Sequence, residues 1–297
     1  MNTKKYALVL RACNADMSSK NGFIWPTSGP VEAPDWVPTD ECGNGLHGWL
    51  HGHGDGSVSD YWLDDCKWLV VKVKNKHIID LEGKVKFKKG TVVFCGDRKG
   101  ATDYILANDL IAPTKPVIGA FITTGDHGTS TIGDHGTSIS GAHGTSISDY
   151  YGTSTSGDHG TSTSGDHGTS TSGYRGTSTS GYCGTSTSGD RGTSTSGYMG
   201  TSTSGVDGTS TSGYGGISIS GDYGTSTSGV GGTSTSGDYG TSTSCDGGKA
   251  TSGEDGTIII KYWKNGRYYS KVGHIGEGGL EPNVAYKLDE YHNFVKC

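Results

Sequence analysis

The sequence predicts a mainly β protein whose centre is a β-solenoid with two octads in each 16-residue coil. Glycine supplies 53 of the 297 residues and recurs at every eighth position from Gly128 to Gly256, which marks seventeen octads. Only 31% of the residues are hydrophobic, whereas ordinary globular domains have roughly 45–50%. One conventional core through the whole chain is therefore excluded, and a fixed repeat of this kind is typical of stacked coils.

Composition divides the chain into three parts. Residues 1–118 have mixed composition and are expected to form an α+β N-terminal domain, residues 119–256 hold the octads, and residues 257–297 are expected to form a small β cap. The octad segment contains 12 acidic and 3 basic residues, so it accounts for the net charge of −6. Within residues 1–118, strands are predicted at 68–73 and 91–94, and this domain is expected to cap the first coil.

Each octad reads as one short strand followed by one turn. The consensus is Gly-Thr-Ser-Thr-Ser-Gly-x-x, in which Thr-Ser-Thr-Ser is a β-prone alternation and Gly-x-x-Gly is turn chemistry. A flexible Gly/Ser linker is the competing interpretation. A linker has no reason to keep an eight-residue register through seventeen copies, so the register favours a packed solenoid.

The direction of the side chains follows from one divergent octad. Lys249 occupies the second position of its octad and Ala250 the third, and a lysine does not fit inside so thin a coil. The second and fourth positions, normally Thr, are therefore expected to point outward, and the third and fifth, normally Ser, inward. The opposite orientation, with Thr methyl groups inside, is favoured by isoleucines at Thr positions. They are Ile139, Ile147, Ile217 and Ile219.

The variable pairs of the octads predict two edges. Tyr182, Tyr198 and Tyr214 are sixteen residues apart, so successive coils are expected to stack them into a ladder that is a candidate binding surface or dimer contact. Aspartates recur on alternate octads and form a candidate acidic binding edge. Its members are Asp158, Asp190, Asp222 and Asp238.

The C-terminal segment predicts a β-hairpin. Residues 257–263 and 268–272 are β-prone, and Asn265-Gly266 lies between them, which is a strong signal for a tight hairpin turn. Apolar residues increase at this point, so the hairpin is expected to cap the last coil and protect its open edge.

The octads resemble those of bacterial ice-nucleation proteins, whose repeat reads Gly-Tyr-Gly-Ser-Thr-x-Thr-Ala. Residues 181–188 match its Gly-Tyr start and both Thr, but have Gly in place of Ser and Ser in place of Ala. The flanks resemble uncharacterised proteins of tailed bacteriophages and prophages that place such octads between an N-terminal domain and a small cap. The flanking motifs lie at residues 10–12, 21–26, 41–49, 96–98 and 275–280.

The resemblance to phage proteins favours a non-enzymatic binding protein in the cytoplasm of an infected or lysogenic bacterium. The expected partner is a host protein, and a protein of a defence system is one candidate. A second interpretation is ice binding by outward Thr-x-Thr arrays. The candidate residues are Thr161, Thr163, Thr177, Thr179, Thr193 and Thr195. A third interpretation is a decoy that imitates DNA. The density of acidic charge along the octads is at most about half that of a DNA duplex. Binding to nucleic acid itself is not expected.

The N-terminal domain also resembles ADP-ribosyltransferases, which leaves enzymatic activity as a further alternative. Arg11 follows a predicted strand, and Gly45-Leu46-His47 lies further along. Residues 96–114 supply no glutamate near these positions, so internal structural roles are expected for Arg11 and His47 and no catalytic residue is assigned.

One cluster has the composition of a metal site. His47, His51, His53 and Asp55 lie within nine residues, although the glycines between them make a poor template. The seven cysteines show no Cys-x-x-Cys spacing, which favours reduced thiols. No cofactor is expected. The apolar run at residues 6–10 is too short for a secretion signal, and no stretch is long enough to span a membrane.

Overall fold

The computed structural model describes residues 5–297, apart from the side chain of Asn21. The chain divides into two compact units. The first, here called the N-terminal unit, comprises the chain up to residue 122 together with 131–137, and the second, the repeat unit, comprises 123–130 and 138–297. In the described part of the chain, no helix has the length and apolar character needed to cross a membrane.

The N-terminal unit is built on an antiparallel sheet of seven strands in the order β2-β7-β4-β1-β3-β6-β5. One α-helix, α1, follows the last strand. The strands are β1 Tyr6–Cys13, β2 Gly29–Glu32, β3 Leu46–Leu50, β4 Lys67–Lys74, β5 Ile78–Asp80, β6 Val85–Phe87 and β7 Lys89–Gly96, and α1 spans Arg98–Asn108. Short 3-10 helices span Lys20–Gly22, Gly56–Val58, Asn75–His77 and Ala112–Thr114, and β8 Phe121–Thr123 comes next along the chain.

Both faces of this sheet are covered. Because side chains alternate along a strand, Leu8 and Leu10 of β1 pack with Ile105 of α1 on one side. Val9 packs with Phe87 on the other side. The central strands are therefore nearly continuous apolar runs, and the two strands predicted at 68–73 and 91–94 are β4 and β7.

The strands of the repeat unit alternate between two sheets. The first sheet contains β9 Thr129–Thr131, β11 Thr145–Ile147, β13 Thr161–Thr163, β15 Thr177–Ser180, β17 Thr193–Ser196, β19 Thr209–Ser212, β21 Thr225–Ser228, β23 Thr241–Ser244 and β25 Thr257–Lys264. The second contains β10 Thr137–Ile139, β12 Thr153–Thr155, β14 Thr169–Ser172, β16 Thr185–Ser188, β18 Thr201–Thr203, β20 Ile217–Ile219, β22 Thr233–Thr235 and β24 Lys249–Thr251.

Each residue of a coil pairs with the residue sixteen positions further on. Thr161 pairs with Thr177 and Thr169 with Thr185, both in parallel register. The backbone ladder continues around the turns, where Cys183 donates its N–H to the carbonyl of Tyr198 at 2.9 Å. The prediction of a β-solenoid of 16-residue coils is confirmed.

The turns require glycine at one step and a left-handed residue at another. A Cβ on Gly197 would lie 2.8 Å from the carbonyl carbon of Gly181 in the neighbouring coil, closer than real side chains come. The second variable residue of every octad has positive φ, between 50° and 58° where it is not glycine. This is the position that type II turns usually give to Gly or Asn, and another side chain there costs on the order of 1 kcal/mol.

The interior of the repeat unit is made of serine. The inward serines from Ser130 to Ser252 are at most 4% exposed, and Lys249 lies outside. The predicted orientation, with Ser inside and Thr outside, is confirmed. The opposite orientation is wrong because a close-packed interior filled by serine has no room for the extra methyl group of Thr. Ile139, Ile147, Ile217 and Ile219 lie outside and are at least 36% exposed.

The C-terminal strands close the repeat unit as predicted. β25 pairs in parallel with β23, and then antiparallel with β26 Arg267–His274 through a turn at Asn265-Gly266, where both φ values are positive. β27 Tyr286–Leu288 and β28 Phe294–Lys296 extend the second sheet. Ile258, Ile260 and Leu280 pack below them, so an apolar cluster replaces the serine interior here.

The serine interior predicts different effects at two matched positions. Ser154 and Ser186 are both fully buried at the third octad position of the second sheet. The Oγ of Ser154 donates to the carbonyl of Thr163 at 2.6 Å, whereas that of Ser186 has no hydrogen-bond partner among residues 5–297. Ser154→Ala is expected to lower the free energy of unfolding by about 1 kcal/mol, and Ser186→Ala to leave it unchanged or raise it.

Urea denaturation followed by circular dichroism measures this difference. Equal losses of stability in the two variants would contradict the assigned hydrogen bonds.

Candidate functional site

One outward surface of the repeat unit carries threonine on a run of consecutive strands that begins after Ile147 of β11. In the first sheet, the five consecutive strands from β13 to β21 carry Thr at both outward positions, and every one of these side chains is exposed or half-exposed. We call this surface the threonine face. It consists of Thr161, Thr163, Thr177, Thr179, Thr193, Thr195, Thr209, Thr211, Thr225 and Thr227. All six threonines that were predicted as candidates from the sequence lie on the threonine face.

The threonine face is a regular grid. Its strands pair in exact parallel register, so equivalent threonines lie directly above one another. The grid repeats at about 4.8 Å between strands and about 7 Å along each strand. Because the χ1 angle of Thr is restricted by its branched Cβ, the hydroxyl and methyl groups are held in repeating positions without a large further loss of entropy.

The opposite surface, on the second sheet, is less regular. It carries Thr at both outward positions on the four strands from β12 to β18. Ile217 and Ile219 then interrupt the array on β20, and Lys249 replaces Thr on β24. We call it the interrupted face. The two faces therefore differ in regularity although they come from the same octads.

The predicted tyrosine ladder is present at one corner of the coils. The rings of Tyr182 and Tyr198 stack at 5.4 Å between centroids, and those of Tyr198 and Tyr214 at 5.1 Å, with interplanar angles of 9° and 6°. The three side chains are 44–54% exposed. We call this corner the tyrosine edge.

The four predicted aspartates lie at the other corner, and their carboxylates have a structural partner. Oδ1 of each accepts a hydrogen bond from the backbone N–H sixteen residues further on. The acceptors are Asp158 (2.9 Å, from Tyr174), Asp190 (2.9 Å, from Val206), Asp222 (3.0 Å, from Asp238) and Asp238 (2.7 Å, from Glu254). One carboxylate oxygen of each aspartate thus ties two coils together.

The second variable position also forms ladders, which were not predicted from the sequence. The rings of His127, His143 and His159 stack at 5.0 and 4.9 Å, and those of Tyr223 and Tyr239 at 5.0 Å. These residues occupy the left-handed turn position, on the same corner as the four aspartates. Their spacing of sixteen in the sequence was the available signal.

The histidine cluster does not converge on one point. Nδ1 of His51 lies 2.7 Å from Oδ2 of Asp109, and Nε2 of His53 lies 2.8 Å from the carbonyl of Ala112. Asp55 accepts the backbone N–H of Ser57 at 2.8 Å, at the start of a 3-10 helix. Within residues 5–297, no three His, Cys, Asp or Glu side chains are grouped as metal ligands would be. His47 lines a separate cavity of the N-terminal unit.

Comparison with known proteins relates the two parts of the chain to different groups. The profile of a domain of unknown function, DUF7666, matches residues 7–105. The repeats are similar to an ice nucleation protein of Xanthomonas campestris pv. translucens, with 40% identity over 119 residues, which cover 37% of this chain and 8% of that protein.

Two further ice nucleation proteins are similar over the repeats. One from Pseudomonas syringae pv. syringae is 43% identical over 109 residues, covering 36% of this chain and 9% of its own length. The ice nucleation protein InaU of Pantoea ananas is 34% identical over 116 residues, which cover 38% of this chain and 11% of that protein. The chain thus spans about a tenth of the length of the curated relatives it matches. No solved structure matches the chain.

The aspartate contacts predict a loss of stability that depends on the acceptor atom. Asp190→Ala removes the acceptor of the Val206 N–H and is expected to lower the free energy of unfolding by about 1 kcal/mol, whereas Asp190→Asn retains an oxygen acceptor and loses less. The control is Asp207→Ala, because Asp207 forms an exposed ion pair with Arg191 at 3.4 Å, a type of contact that contributes about 0–1 kcal/mol. Thermal unfolding measures all three. Equal effects of the Ala and Asn variants at residue 190 would contradict the acceptor role.

Proposed function

We propose that the repeat unit binds ice through the threonine face. The observation that carries the proposal is the grid of ten threonines on five consecutive strands on one side of the coils, whereas on the opposite side Ile217 and Ile219 end the array after four strands. Methyl groups on a regular grid cannot hydrogen-bond to water, whereas the hydroxyls between them can. Water at this surface is therefore held at fixed spacings set by the hydroxyls. The similarity of the repeats to ice nucleation proteins supports the same function.

The extent of the face favours binding to existing crystals over nucleation. Five strands at about 4.8 Å span roughly 20 Å, and an ice embryo that is stable at mild supercooling needs a larger template. The relatives are about ten times longer than the matched segment. Control of crystal growth is therefore the proposed activity of a chain with this number of coils.

We further propose that two copies pair along the tyrosine edge. Tyr182, Tyr198 and Tyr214 offer a continuous, exposed aromatic strip, and exposed aromatic patches are typical of protein interfaces. Pairing at this corner leaves both threonine-bearing faces exposed and makes the ice-binding surface larger.

Three expectations from the sequence stay predictions. They are the origin of the chain in a bacteriophage or prophage, a host protein as its partner in the bacterial cytoplasm, and the lack of enzymatic activity. The proposed ice binding does not depend on any of them.

Matched lysine substitutions test the ice-binding proposal. Lys249 already occupies the second octad position on β24, so a lysine there is compatible with the coil. Thr177→Lys combined with Thr193→Lys places two charges on the threonine face, and Thr169→Lys combined with Thr185→Lys places them at the same octad positions on the interrupted face. The threonine-face variant is expected to need about tenfold more protein to inhibit ice recrystallisation, which corresponds to about 1.4 kcal/mol of lost binding.

The interrupted-face variant is the control and is expected to retain the activity. Circular dichroism establishes that both variants are folded. An inactive parent protein, or equal losses on the two faces, would refute the proposal.

A tyrosine substitution tests the pairing. Tyr198→Ser removes the central ring of the tyrosine edge and is expected to weaken dimer formation by about tenfold. The control is Tyr239→Ser, which removes a stacked ring of comparable exposure, 54% against 45% for Tyr198, from the other corner. Sedimentation equilibrium over a range of concentrations measures the dissociation constant. A parent protein that stays monomeric at every concentration reached would exclude the dimer.

A further inference from the structure

The N-terminal unit contains a large cavity that the proposed ice binding does not use. Its volume is about 670 Å³, and its lining includes Arg11, Trp25, His47, Tyr61 and Lys84. Cavities of this size commonly hold small molecules. Arg11 comes from β1 and His47 from β3, so two paired strands of the sheet place both polar groups.

Arg11 is a cation without a matching anion. Its guanidinium lies over the rings of Trp25 at 5.6 Å and Tyr61 at 5.2 Å. The Nε atom is buried and has no hydrogen-bond partner in residues 5–297, and no carboxylate in that range forms an ion pair with the side chain. Burial lowers the pKa of Arg11, but an arginine stays protonated in proteins, so the positive charge persists.

His47 adds a second unpaired polar atom to the same cavity. Its Nε2 is buried and lacks a partner among the described residues. Burial, assisted by the nearby charges of Lys84 and Arg11, lowers the pKa of His47 to about 4. The ring is therefore neutral at pH 7. A buried polar atom without a partner costs free energy, so a bound group that hydrogen-bonds to these two side chains, both of which line the cavity, would offset part of that cost.

The charge of the lining favours an anion as that group. The lining contains three basic side chains, those of Arg11, Lys20 and Lys84, and two carboxylates. Asp60, one of the two, is already paired with Lys20 at 3.2 Å. Asp35 is the other. Arg11 has no carboxylate partner among residues 5–297, and the groups that face its guanidinium are the rings of Trp25 and Tyr61 and the Tyr61 hydroxyl.

The walls of the cavity favour a flat ring. Trp25 is 3% exposed and is held edge-to-face by Phe23 at 5.4 Å. The ring of Tyr61 also lies near the Arg11 guanidinium, and its hydroxyl accepts the backbone N–H of Lys20 at 3.0 Å. The two rings are thus fixed in position. Tyr61 is only partly buried, and its aromatic surface is of the kind that stacks with planar ligands.

We propose that this cavity binds a small organic anion that carries a flat ring, with the anionic group at Arg11 and His47 and the ring against Tyr61. The accessible part of the Arg11 guanidinium donates a charge-assisted hydrogen bond to the anion, and the neutral ring of His47 donates one from the nitrogen that carries the proton. The site is separate from the threonine face and does not rest on ice binding.

Calorimetric titration of the full chain at pH 7 with three probes tests the proposal. 1-Naphthyl phosphate has both the ring and the anion, 1-naphthol has the ring alone, and inorganic phosphate has the anion alone. The complete probe is expected to bind at least about tenfold more tightly than either fragment. Absence of binding by 1-naphthyl phosphate at millimolar concentration, or equal affinity for one fragment, would overturn the proposal.

Two variants and a control locate the binding. Arg11→Met and Tyr61→Leu are each expected to weaken binding of 1-naphthyl phosphate by about tenfold. The control is Arg98→Met, because Arg98 is also partly buried and lies over an aromatic ring, that of Phe121 at 5.0 Å, but lines a different, smaller cavity. Should Arg11→Met fail to fold, Tyr61→Leu still decides the question. Unchanged affinity in a folded variant would show that the anion binds elsewhere.

Discussion

Parallel pairing of each residue with its counterpart sixteen positions later is the constraint on which the repeat unit depends. Backbone hydrogen bonds run between coils both along the strands and around the turns. Because the register is exact, any side chain is stacked on its own equivalents. The same rule that stacks Tyr182 on Tyr198 also stacks a carboxylate below a backbone N–H and a threonine below a threonine. Order on the surface is thus a direct consequence of order in the backbone, with little contribution from an apolar core.

The serine interior determines how close the two sheets come. Some hydroxyls cross the interior to carbonyls, as at Ser154, and others, as at Ser186, have no partner among the described residues. The interior therefore contributes less to stability than hydrophobic packing of similar extent. The stability of the repeat unit therefore depends more on the backbone ladders, on the aspartates that join neighbouring coils, and on the apolar cluster around Ile258 and Leu280 beneath the C-terminal strands.

Much of this architecture can be predicted from the sequence, because it follows from a period. Lys249 alone was enough to orient the strands, and Asn265-Gly266 located the hairpin. The role of Asp190 was not predictable, because an exposed acidic residue and one that accepts a backbone N–H of the next coil have the same spacing. The cavity was missed for another reason. Arg11 and His47 were recognised, but their missing partners become evident only when strands β1 and β3, far apart in the sequence, are placed side by side.

The strict alternation of octads between the two sheets has a consequence for how such a chain can change its length. Loss or gain of sixteen residues removes or adds a whole coil, and every remaining residue keeps its neighbours. Loss of eight residues instead moves each later strand to the other sheet. The later threonines of the threonine face would then continue on the opposite side, Ile217 and Lys249 would come onto the side of the earlier ones, and the later rings of the tyrosine ladder would change corners. Recombination between repeats is therefore tolerated without loss of pattern only in steps of two octads.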